Sequence, residues 1–374
     1  MFVYIIYLLF LLSVIAFSPT RYFSFSVVAL LSAIPGILYC VVKFPSKLQT
    51  CLLVLFGISI YSGYHNSFDL EYFNRKLTNF ELIASSSIWL VSYITIKLAM
   101  HNRKIYKGIC LKIFFVVFFL IGVELMTSEL MHTTSVEEGS NSVYYVLPVL
   151  PCMMFFFQNK KFSIMLLVCL LIFFSIKRSA FLIIAVSIVC LMFCSYKGII
   201  NINKYIMNLM VLTVIFIILF ANIGAKYFDA IVERFVGIAE DGGSHRDLIF
   251  EYAFGLIHQF DITHLLLGSG PRYFWACSQN ISAAHNDFLE IVLSCGLVGL
   301  GIFFIIHVRI IKLLSYYVRQ KSQIAISLGI SYITFLIWNL IACQFAYQSG
   351  AICTFMFWGI AEYYEKDKNI IYSH

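Results

Sequence analysis

The sequence predicts an all-α, polytopic membrane protein, and two features of its composition support this fold class. Of its 374 residues, 61% are hydrophobic and 12% are charged, whereas a soluble domain carries roughly twice that charged fraction. The apolar residues fall into runs of about 15–20, long enough for a helix to cross a hydrocarbon core of roughly 30 Å. A water-soluble globular protein is therefore excluded.

The apolar runs and the polar breaks between them predict about twelve transmembrane helices. Both termini are expected to be cytoplasmic, with one large extracytoplasmic loop that contains short helices. Three regions follow: a transmembrane bundle at 1–224, the extracytoplasmic loop at 225–286, and C-terminal transmembrane helices with a short cytoplasmic tail at 287–374. The predicted spans are 2–17, 22–42, 48–63, 82–98, 109–126, 143–157, 162–176, 179–196, 205–224, 287–307, 323–342 and 345–361.

The distribution of basic residues sets the predicted orientation. With a cytoplasmic N-terminus, the inside segments contain about 17 of the 26 Lys and Arg residues, as the positive-inside rule requires. The acidic residues of those segments are Glu362, Glu365 and Asp367. The net charge of +7 is therefore a signal of topology and does not indicate a nucleic-acid partner.

The apolar stretch 162–196 is too long for one crossing at about 1.5 Å per residue, which predicts a helical hairpin whose turn lies at the outer surface. Arg178 lies at that turn. A cation on the outer side opposes the topological bias, and beside hydrocarbon it is costly unless it meets an anion. Arg178 is thus a candidate for anion binding. The alternative is an arginine that extends to the outer lipid headgroups.

The long polar loop begins with residues 225–240, whose apolar positions share one helical face and predict an amphipathic helix at the membrane surface. A second helix is expected from Ser244, because Asp247 three residues later resembles the acidic member of a capping box. Arg246 lies in the first turn on the apolar face, where it can contribute to an anion site at the helix N-terminus. A salt bridge to Asp247 or Asp241 is the alternative.

The end of the loop concentrates further ionisable residues. Residues 268–272 (GSGPR) predict a turn and lack the lysine-serine ending of a phosphate-binding loop. His285 is expected at the outer end of the next helix, where ionisable residues near a membrane tend to be functional. Asp287 and Glu290 form a separate stripe on that helix. In helical projection, His285 shares a face with Leu289, Val292, Gly296 and Gly299.

These residues resemble motifs of the bacterial O-antigen ligase and polymerase superfamily. His285-Asn286, nine residues and then Gly296-Leu-Val-Gly299 matches its His-Asn-x9-Gly-x-x-Gly pattern. Gly268-Ser269-Gly270 resembles the Gly-x-Gly turn of that family, and Ser244-His245-Arg246 resembles the arginine at the head of its loop helix. Residues 178–182 (RSAFL) are similar to its Arg-x3-Leu at a hairpin. The similarity covers about 170–305, and earlier residues match only in topology.

The resemblance implies an enzyme that transfers a glycan from a polyprenyl-pyrophosphate carrier on the outer side of a bacterial cytoplasmic (inner) membrane. It implies that Arg178 and Arg246 hold the pyrophosphate and that His285 acts on the acceptor hydroxyl. Arginines stabilise such a leaving group through forked hydrogen bonds, and histidine suits a base near neutral pH.

Four further residues, Arg272, Asn286, Asp287 and Glu290, are expected to bind substrate, and Asp287 or Glu290 could instead orient His285 or serve as the base. No metal and no cofactor is required for this chemistry. The expected partners are the lipid-linked oligosaccharide, membrane lipid, and potentially a chain-length regulator and a flippase.

Three alternatives stay open at this point. The motifs do not separate a polymerase, which the short loop favours, from a ligase that transfers glycan to lipid A-core. A lipid-glycan transporter would need ionisable residues or broken helices near the bilayer midplane. Asp69-Leu70-Glu71 in a predicted outer loop leaves room for a metal-dependent glycosyltransferase.

Overall fold

The structure of the protein is a computed structural model, and it describes residues 1–17, 22–66, 70–72, 75–106, 109–132, 146–157, 164, 168, 178–199, 242–278, 283–341 and 348–366. The chain divides into two compact units. The first unit comprises Met1–Leu111, Leu248–Leu313 and Trp338–His374, and the second comprises Lys112–Asp247 and Leu314–Ile337.

Apart from short turns, the described residues form helices and one hairpin whose two strands have two residues each. That hairpin pairs β1 (Glu71–Tyr72) with β2 (Arg75–Lys76) in antiparallel register, with Glu71 opposite Lys76. A short 3-10 turn, Leu147–Val149, precedes α8. The helices are α1 (Phe2–Phe17), α2 (Tyr22–Lys43), α3 (Lys47–His65), α4 (Asn79–Ser85), α5 (Ile88–His101), α6 (Arg103–Tyr106), α7 (Cys110–His132), α8 (Leu150–Phe156), α9 (Arg178–Tyr196), α10 (Gly242–His258), α11 (Ile262–Leu267), α12 (Tyr273–Ser278), α13 (Asp287–Arg319), α14 (Ile324–Ile341) and α15 (Gln348–Lys366).

Within the described part of the chain, three helices are long and apolar enough to cross a membrane: Phe23–Lys43, Asp287–Arg319 and Ile324–Ile341. A fourth span is added if α4 and α5 together cross as one bent segment. Large apolar side chains are exposed on α1 and α2, including Val3 at 78% and Val42 at 74%. Such surface is unfavourable in water and suited to contact with lipid.

Several predicted boundaries differ from the observed helices. The span predicted at 287–307 continues as helix to Arg319, and the one predicted at 109–126 continues to His132. Apolar periodicity marks the part of a helix that lies in hydrocarbon and does not register polar turns that extend the same helix into water. The predicted spans at 162–176 and 205–224, apart from two isolated residues, lie outside the described residues, as does the amphipathic helix predicted at 225–240.

The segment predicted as one span at 82–98 is divided into α4 and α5, which meet at an angle of 49°. The hydroxyls of Ser85, Ser86 and Ser87 each donate a hydrogen bond to the carbonyl oxygen three residues back, at 2.7 or 2.8 Å. Side chains that bond to the nearby backbone in this way compete with the helical ladder. The prediction of an uninterrupted helix is therefore wrong, and three consecutive serines explain the bend.

The core of the first unit is centred on α5, which packs against α15. Every residue from Ile88 to Met100 is buried, as expected for a helix surrounded by protein on all sides. Helices α1 and α2 pack against the same core. Gly36 of α2 allows a close approach to α5, since a Cβ there would lie 2.8 Å from the Leu98 side chain.

A tyrosine forms hydrogen bonds with the backbone of α2 next to the proline inside this helix. Pro35 has no N–H and interrupts the helical ladder. The Tyr4 hydroxyl from α1 donates to the Ser32 carbonyl oxygen at 2.7 Å and accepts from the Gly36 N–H at 3.2 Å. One hydroxyl therefore satisfies both backbone groups of an i, i+4 pair in α2.

A charged cluster joins four helices in the first unit: Lys97 and Tyr93 of α5, the residues at the start of α3, Arg309 of α13, and Glu362 and Glu365 of α15. Lys97 donates to Gln49 at 2.6 Å and to Ser46 at 3.1 Å. Tyr93 bonds to Glu362, which forms a salt bridge to Arg309 at 3.3 Å, and Arg309 also pairs with Glu365. The sequence assigns Lys97 to a solvated inside segment, but its side chain is buried.

In the second unit, aromatic side chains connect α7 with α8, where the Phe115 and Phe156 rings stack with centroids 5.5 Å apart. Helices α9 and α14 approach closely at a glycine. A Cβ at Gly329 would lie 2.7 Å from the Cys190 sulfur.

Candidate active site at the head of α13

The structure divides the predicted site residues between the two units. Arg178 is the first residue of α9, and Arg246 lies half-buried near the start of α10. Both belong to the second unit. Five other predicted residues lie together in the first unit, namely Arg272, His285, Asn286, Asp287 and Glu290. The shared site of Arg178, Arg246 and His285 stays a prediction.

Helix α10 begins at Gly242, not at Ser244 as the capping pattern predicts. Ser244 is therefore inside the first turn rather than at the N-cap position. The two glycines before it adopt helical geometry despite their low helix propensity. Arg246 remains within the first two turns, one helical turn from Ile249 and Phe250.

His285 precedes the helix on which the sequence places it. Its backbone is left-handed, with φ of 52°, and α13 begins two residues later at Asp287. The helix is also broken at Gly296, where φ is 67° and ψ is −170°. The predicted helical face running from His285 through Gly296 to Gly299 is therefore wrong. Periodicity assumes continuous helix and cannot detect either a cap or a break.

Asn286 explains why the helix starts where it does. Its side-chain oxygen accepts hydrogen bonds from the N–H groups of Phe288 at 3.0 Å and Leu289 at 3.2 Å. Asparagine is among the best N-cap residues, because it satisfies backbone donors that have no partner within the helix. Asp287 and Glu290 follow in the first turn, where negative charge favours the helix dipole. Asn286 thus has a structural role, and its contact with substrate stays a prediction.

Glu290 holds the segment that carries His285. The Glu290 side chain is buried, and its Oε2 atom accepts a hydrogen bond from the backbone N–H of Ala284 at 3.2 Å. Ala284 itself is fully buried in a small apolar cluster with Ala253, Phe274 and Leu293. His285 is therefore fixed from both sides, by Glu290 through the preceding residue and by the Asn286 cap through the following one.

The break in α13 and the turn at 268–270 fit together backbone to backbone. A Cβ at Gly296 would lie 2.3 Å from the carbonyl carbon and oxygen of Leu266. A Cβ at Gly268 would lie 2.3 Å from the carbonyl carbon of Ser294. Both glycines have positive φ, so they are required by conformation as well as by space. The N–H of Ser269 also donates to the Leu293 carbonyl oxygen at 2.8 Å.

Helix α3 completes this junction on the other side of the turn. The Ser62 hydroxyl donates to the Ser294 carbonyl oxygen at 3.0 Å, next to the break in α13. A Cβ at Gly63 would lie 3.1 Å from the Pro271 ring, and one at Gly270 would lie 3.1 Å from the Gly63 Cα. We call these three interlocked segments, 59–63, 266–272 and 290–296, the glycine junction.

A partly open cavity lies within the glycine junction. Its polar lining includes the side chains of Arg272, Glu290 and Ser59, and Trp89 of α5 forms part of its apolar wall. Arg272 also has a positive φ, of 66°. Among the described residues, its guanidinium donates no hydrogen bond, although its charge acts on the Glu290 carboxyl group. The cavity is therefore lined by both a cation and a buried carboxyl group.

Tyr273 lies beside this cavity but is unsuited to act as a base. Burial, followed by a hydrogen bond with Cys277, raises the pKa of Tyr273 to about 12. The phenol therefore keeps its proton at physiological pH. His285 is the better candidate for proton transfer, because imidazole exchanges its proton near neutral pH.

The sequence does not single out the contribution of α3. Ser59, Ser62 and Gly63 lie about 200 residues before the rest of the junction, and no motif links them to it. Their spacing of i, i+3 and i+4 in an apolar helix is the available signal, since small residues on one face indicate close helix packing. The aromatic wall from Trp89 has no such signal.

No protein-family model matches this chain, and no curated protein shows significant similarity to it.

Within the described residues, no group of three or more His, Cys, Asp and Glu side chains is arranged to hold a metal ion. Of the acidic pair considered for a metal, Asp69 lies outside the described residues, and the Glu71 side chain is not described. The candidate site contains a cation, Arg272, a histidine, His285, and the buried carboxyl groups of Asp287 and Glu290.

Proposed function

We propose that this protein is a polymerase of O-antigen or capsular polysaccharide, a membrane glycosyltransferase that joins repeat units carried on polyprenyl pyrophosphate. The observation that carries the proposal is the glycine junction. Gly268 and Gly296 lie in two separate stretches that resemble motifs of the O-antigen ligase and polymerase superfamily, and each packs against the backbone of the segment that contains the other. Arg272 lies in this junction, and Glu290 of the junction bonds to the residue before His285, so two of the four resembling motifs adjoin in the first unit.

The proposed topology has about twelve spans, both termini in the cytoplasm and the site on the outer side of a bacterial cytoplasmic membrane. The basic residues in the predicted inside segments support this orientation. The burial of Lys97 and Glu362 does not weaken it, since both residues lie near the ends of their helices and have polar partners within the charged cluster.

The proposed reaction is attack of an acceptor sugar hydroxyl on the anomeric carbon of the donor. A bond forms between the acceptor oxygen and the anomeric carbon, while the bond from that carbon to the phosphate oxygen breaks. The hydroxyl proton passes to an imidazole nitrogen of His285 and then to water. The pyrophosphate leaves with the bonding electron pair, so it needs a positive environment but no proton.

Arg272 is suited to bind an anion in this reaction. It lines the cavity, and arginine binds phosphate through two parallel hydrogen bonds. Arg178 and Arg246 are proposed to hold the same pyrophosphate. Glu290 positions the His285 segment through Ala284. Neither a metal nor a cofactor is part of the proposed mechanism.

The proposed partners are the polyprenyl-pyrophosphate-linked oligosaccharide and membrane lipid. A flippase that delivers the lipid-linked unit and a chain-length regulator are further proposed partners, because a polymerase on the outer surface needs substrate delivered there and a stop signal.

The test is the surface glycan of cells that carry His285→Ala or Arg272→Ala. Loss of a general base costs about 10²–10⁴-fold in rate, so the ladder of polymer should collapse to single repeat units. His258→Ala is the matched control, because His258 is an exposed histidine at the end of α10, and it should retain the full ladder.

Full-length polymer from a well-expressed His285→Ala variant would refute this site assignment. Deletion of the gene separates the polymerase from the ligase. A polymerase deletion leaves single repeat units on the lipid A-core, whereas a ligase deletion leaves the core without glycan.

A further inference from the structure

His264 of α11 connects the two segments that flank the glycine junction. Asp261 caps α11, and its Oδ1 atom accepts the backbone N–H of His264 at 2.8 Å. The same oxygen faces the ring Nδ1 of His264 at 2.9 Å. On the other side of the ring, Nε2 lies 3.2 Å from Oδ1 of Asn66, which ends α3.

The orientation of the Asn66 side chain is set by its second hydrogen bond. Its Nδ2 atom donates to the Ser62 carbonyl oxygen at 3.0 Å, so the amide oxygen must face the imidazole. Both ring nitrogens of His264 therefore face acceptor oxygens. A neutral imidazole has one N–H and leaves the other nitrogen lone pair opposed to an oxygen, whereas the imidazolium donates to both. Only the protonated ring satisfies this arrangement.

We propose that protonation of His264 closes a pH-sensitive latch between the end of α3 and α11. Among the described residues, the groups that face the ring are Asp261 from its own element and Asn66 from α3, with the Phe260 ring centroid 6.0 Å away. His65, also on α3, contacts Tyr61 of the same helix in a tilted arrangement, at 4.5 Å between ring centroids. Asp261 is thus the charged partner of the latch.

The latch is complete in an acidic window. The hydrogen bonds from the His264 backbone N–H and ring lower the pKa of Asp261, so this carboxylate stays charged as the pH falls. The hydrogen bond from Nε2 to Asn66 requires the second N–H of the imidazolium, so it is present in acid and is lost when the ring is neutral. Below the pKa of Asp261 its carboxylate becomes protonated, so the negative charge of the latch is lost as well.

The latch is coupled to the site through the chain itself. Leu266 lies near the end of α11, and its carbonyl group contacts Gly296. The chain then continues into the turn that carries Arg272. The backbone N–H groups of Ser269 and Gly270 bond to carbonyl oxygens of α13, at 2.8 and 3.1 Å. If the proposed function and topology hold, the latch lies outside the cytoplasm, where the pH follows that of the medium. In acid it then restricts the motion of the turn that carries Arg272.

Hydrogen exchange of the purified full-length protein in lipid nanodiscs tests the latch without any enzymatic assay. The measured quantity is the protection of amides 265–270, corrected for the pH dependence of intrinsic exchange, at about pH 5.5 and about pH 8. Exposed ionic contacts of this kind change an opening equilibrium by about two- to fivefold. Protection in the wild type should therefore be higher by that factor at the lower pH.

His264→Ala and Asn66→Ala should each remove the pH response, and His264→Gln should behave like His264→Ala. His65→Ala is the matched control, since His65 is the neighbouring histidine on α3, and it should keep the wild-type response. Equal protection of the wild type at both pH values, or a response that survives in His264→Ala, overturns the latch. Because no glycan is involved, this outcome is independent of whether the proposed polymerase activity is correct.

Discussion

Replacement of Gly296 by alanine tests the glycine junction directly. The new Cβ would lie 2.3 Å from the carbonyl carbon and oxygen of Leu266 and 2.5 Å from the Leu267 nitrogen. These are backbone atoms, so no side-chain rotation can relieve the overlap. The φ and ψ angles of 67° and −170° also belong to a region that is essentially restricted to glycine, at a cost of about 1–3 kcal/mol for another residue.

The displacement of a packed segment adds about 1–3 kcal/mol, so the free energy of unfolding should fall by roughly 3 kcal/mol or more. With an unfolding entropy of about 2.1 cal/mol/K per residue, the 374 residues give a decrease in Tm of roughly 4 °C or more. The assay is thermal unfolding of the purified protein in nanodiscs, together with the surface glycan ladder. Polymer length should fall because both Arg272 and the His285 segment depend on the junction.

Gly301→Ala is the control on the same helix. No atom lies within 4 Å of the Cβ that this change introduces, and Gly301 is helical and exposed. It should be neutral or stabilise the helix by up to about 1 kcal/mol. Equal stability of the Gly296→Ala variant and the wild type would refute the junction, and so would an equal loss in Gly301→Ala.

Three further substitutions test other parts of the fold. Tyr4→Phe leaves a carbonyl and an N–H of α2 without their shared partner, so the unfolding free energy should fall by about 1–3 kcal/mol in a denaturation assay. Tyr4→Trp should not recover the lost stability. Glu362→Gln should lower the free energy of unfolding by about 3 kcal/mol and Glu365→Gln by about 1 kcal/mol, because the first side chain is 4% exposed and the second 24%. Equal losses in the two variants would contradict the role of burial in the charged cluster. Asn286→Ala should cost about 1 kcal/mol through loss of the α13 cap, whereas Asn286→Asp should stay near the wild type; a loss in the aspartate variant as large as in the alanine variant would argue against capping.

The positions of most helices could be predicted because they depend on short stretches of apolar residues. The helices at 2–17, 22–42 and 323–342 end within one or two residues of the predicted limits. The bend at residues 85–87 could not be predicted from hydropathy, since serine is tolerated within apolar helices. It arises from three hydroxyls that all bond back to their own backbone.

The residues of the candidate site were easier to predict than their geometry. Arg272 and Glu290 stand out as ionisable residues in an apolar chain, and both line the cavity. The left-handed backbone of His285 depends on contacts of the residues on either side of it. The break at Gly296 depends on a partner segment about 30 residues earlier, which helical projection cannot include. The packing of α3 against this segment depends on tertiary contacts alone.

The hydroxyl of Tyr4 has a consequence for the biogenesis of the protein. In hydrocarbon, no water is present to satisfy the backbone groups that Pro35 leaves open in α2. Helix α2 is therefore an incomplete membrane helix on its own, and it becomes complete only beside α1. Helix α1 therefore acts as an internal chaperone for α2, and the two helices should associate before α2 packs against the rest of the first unit.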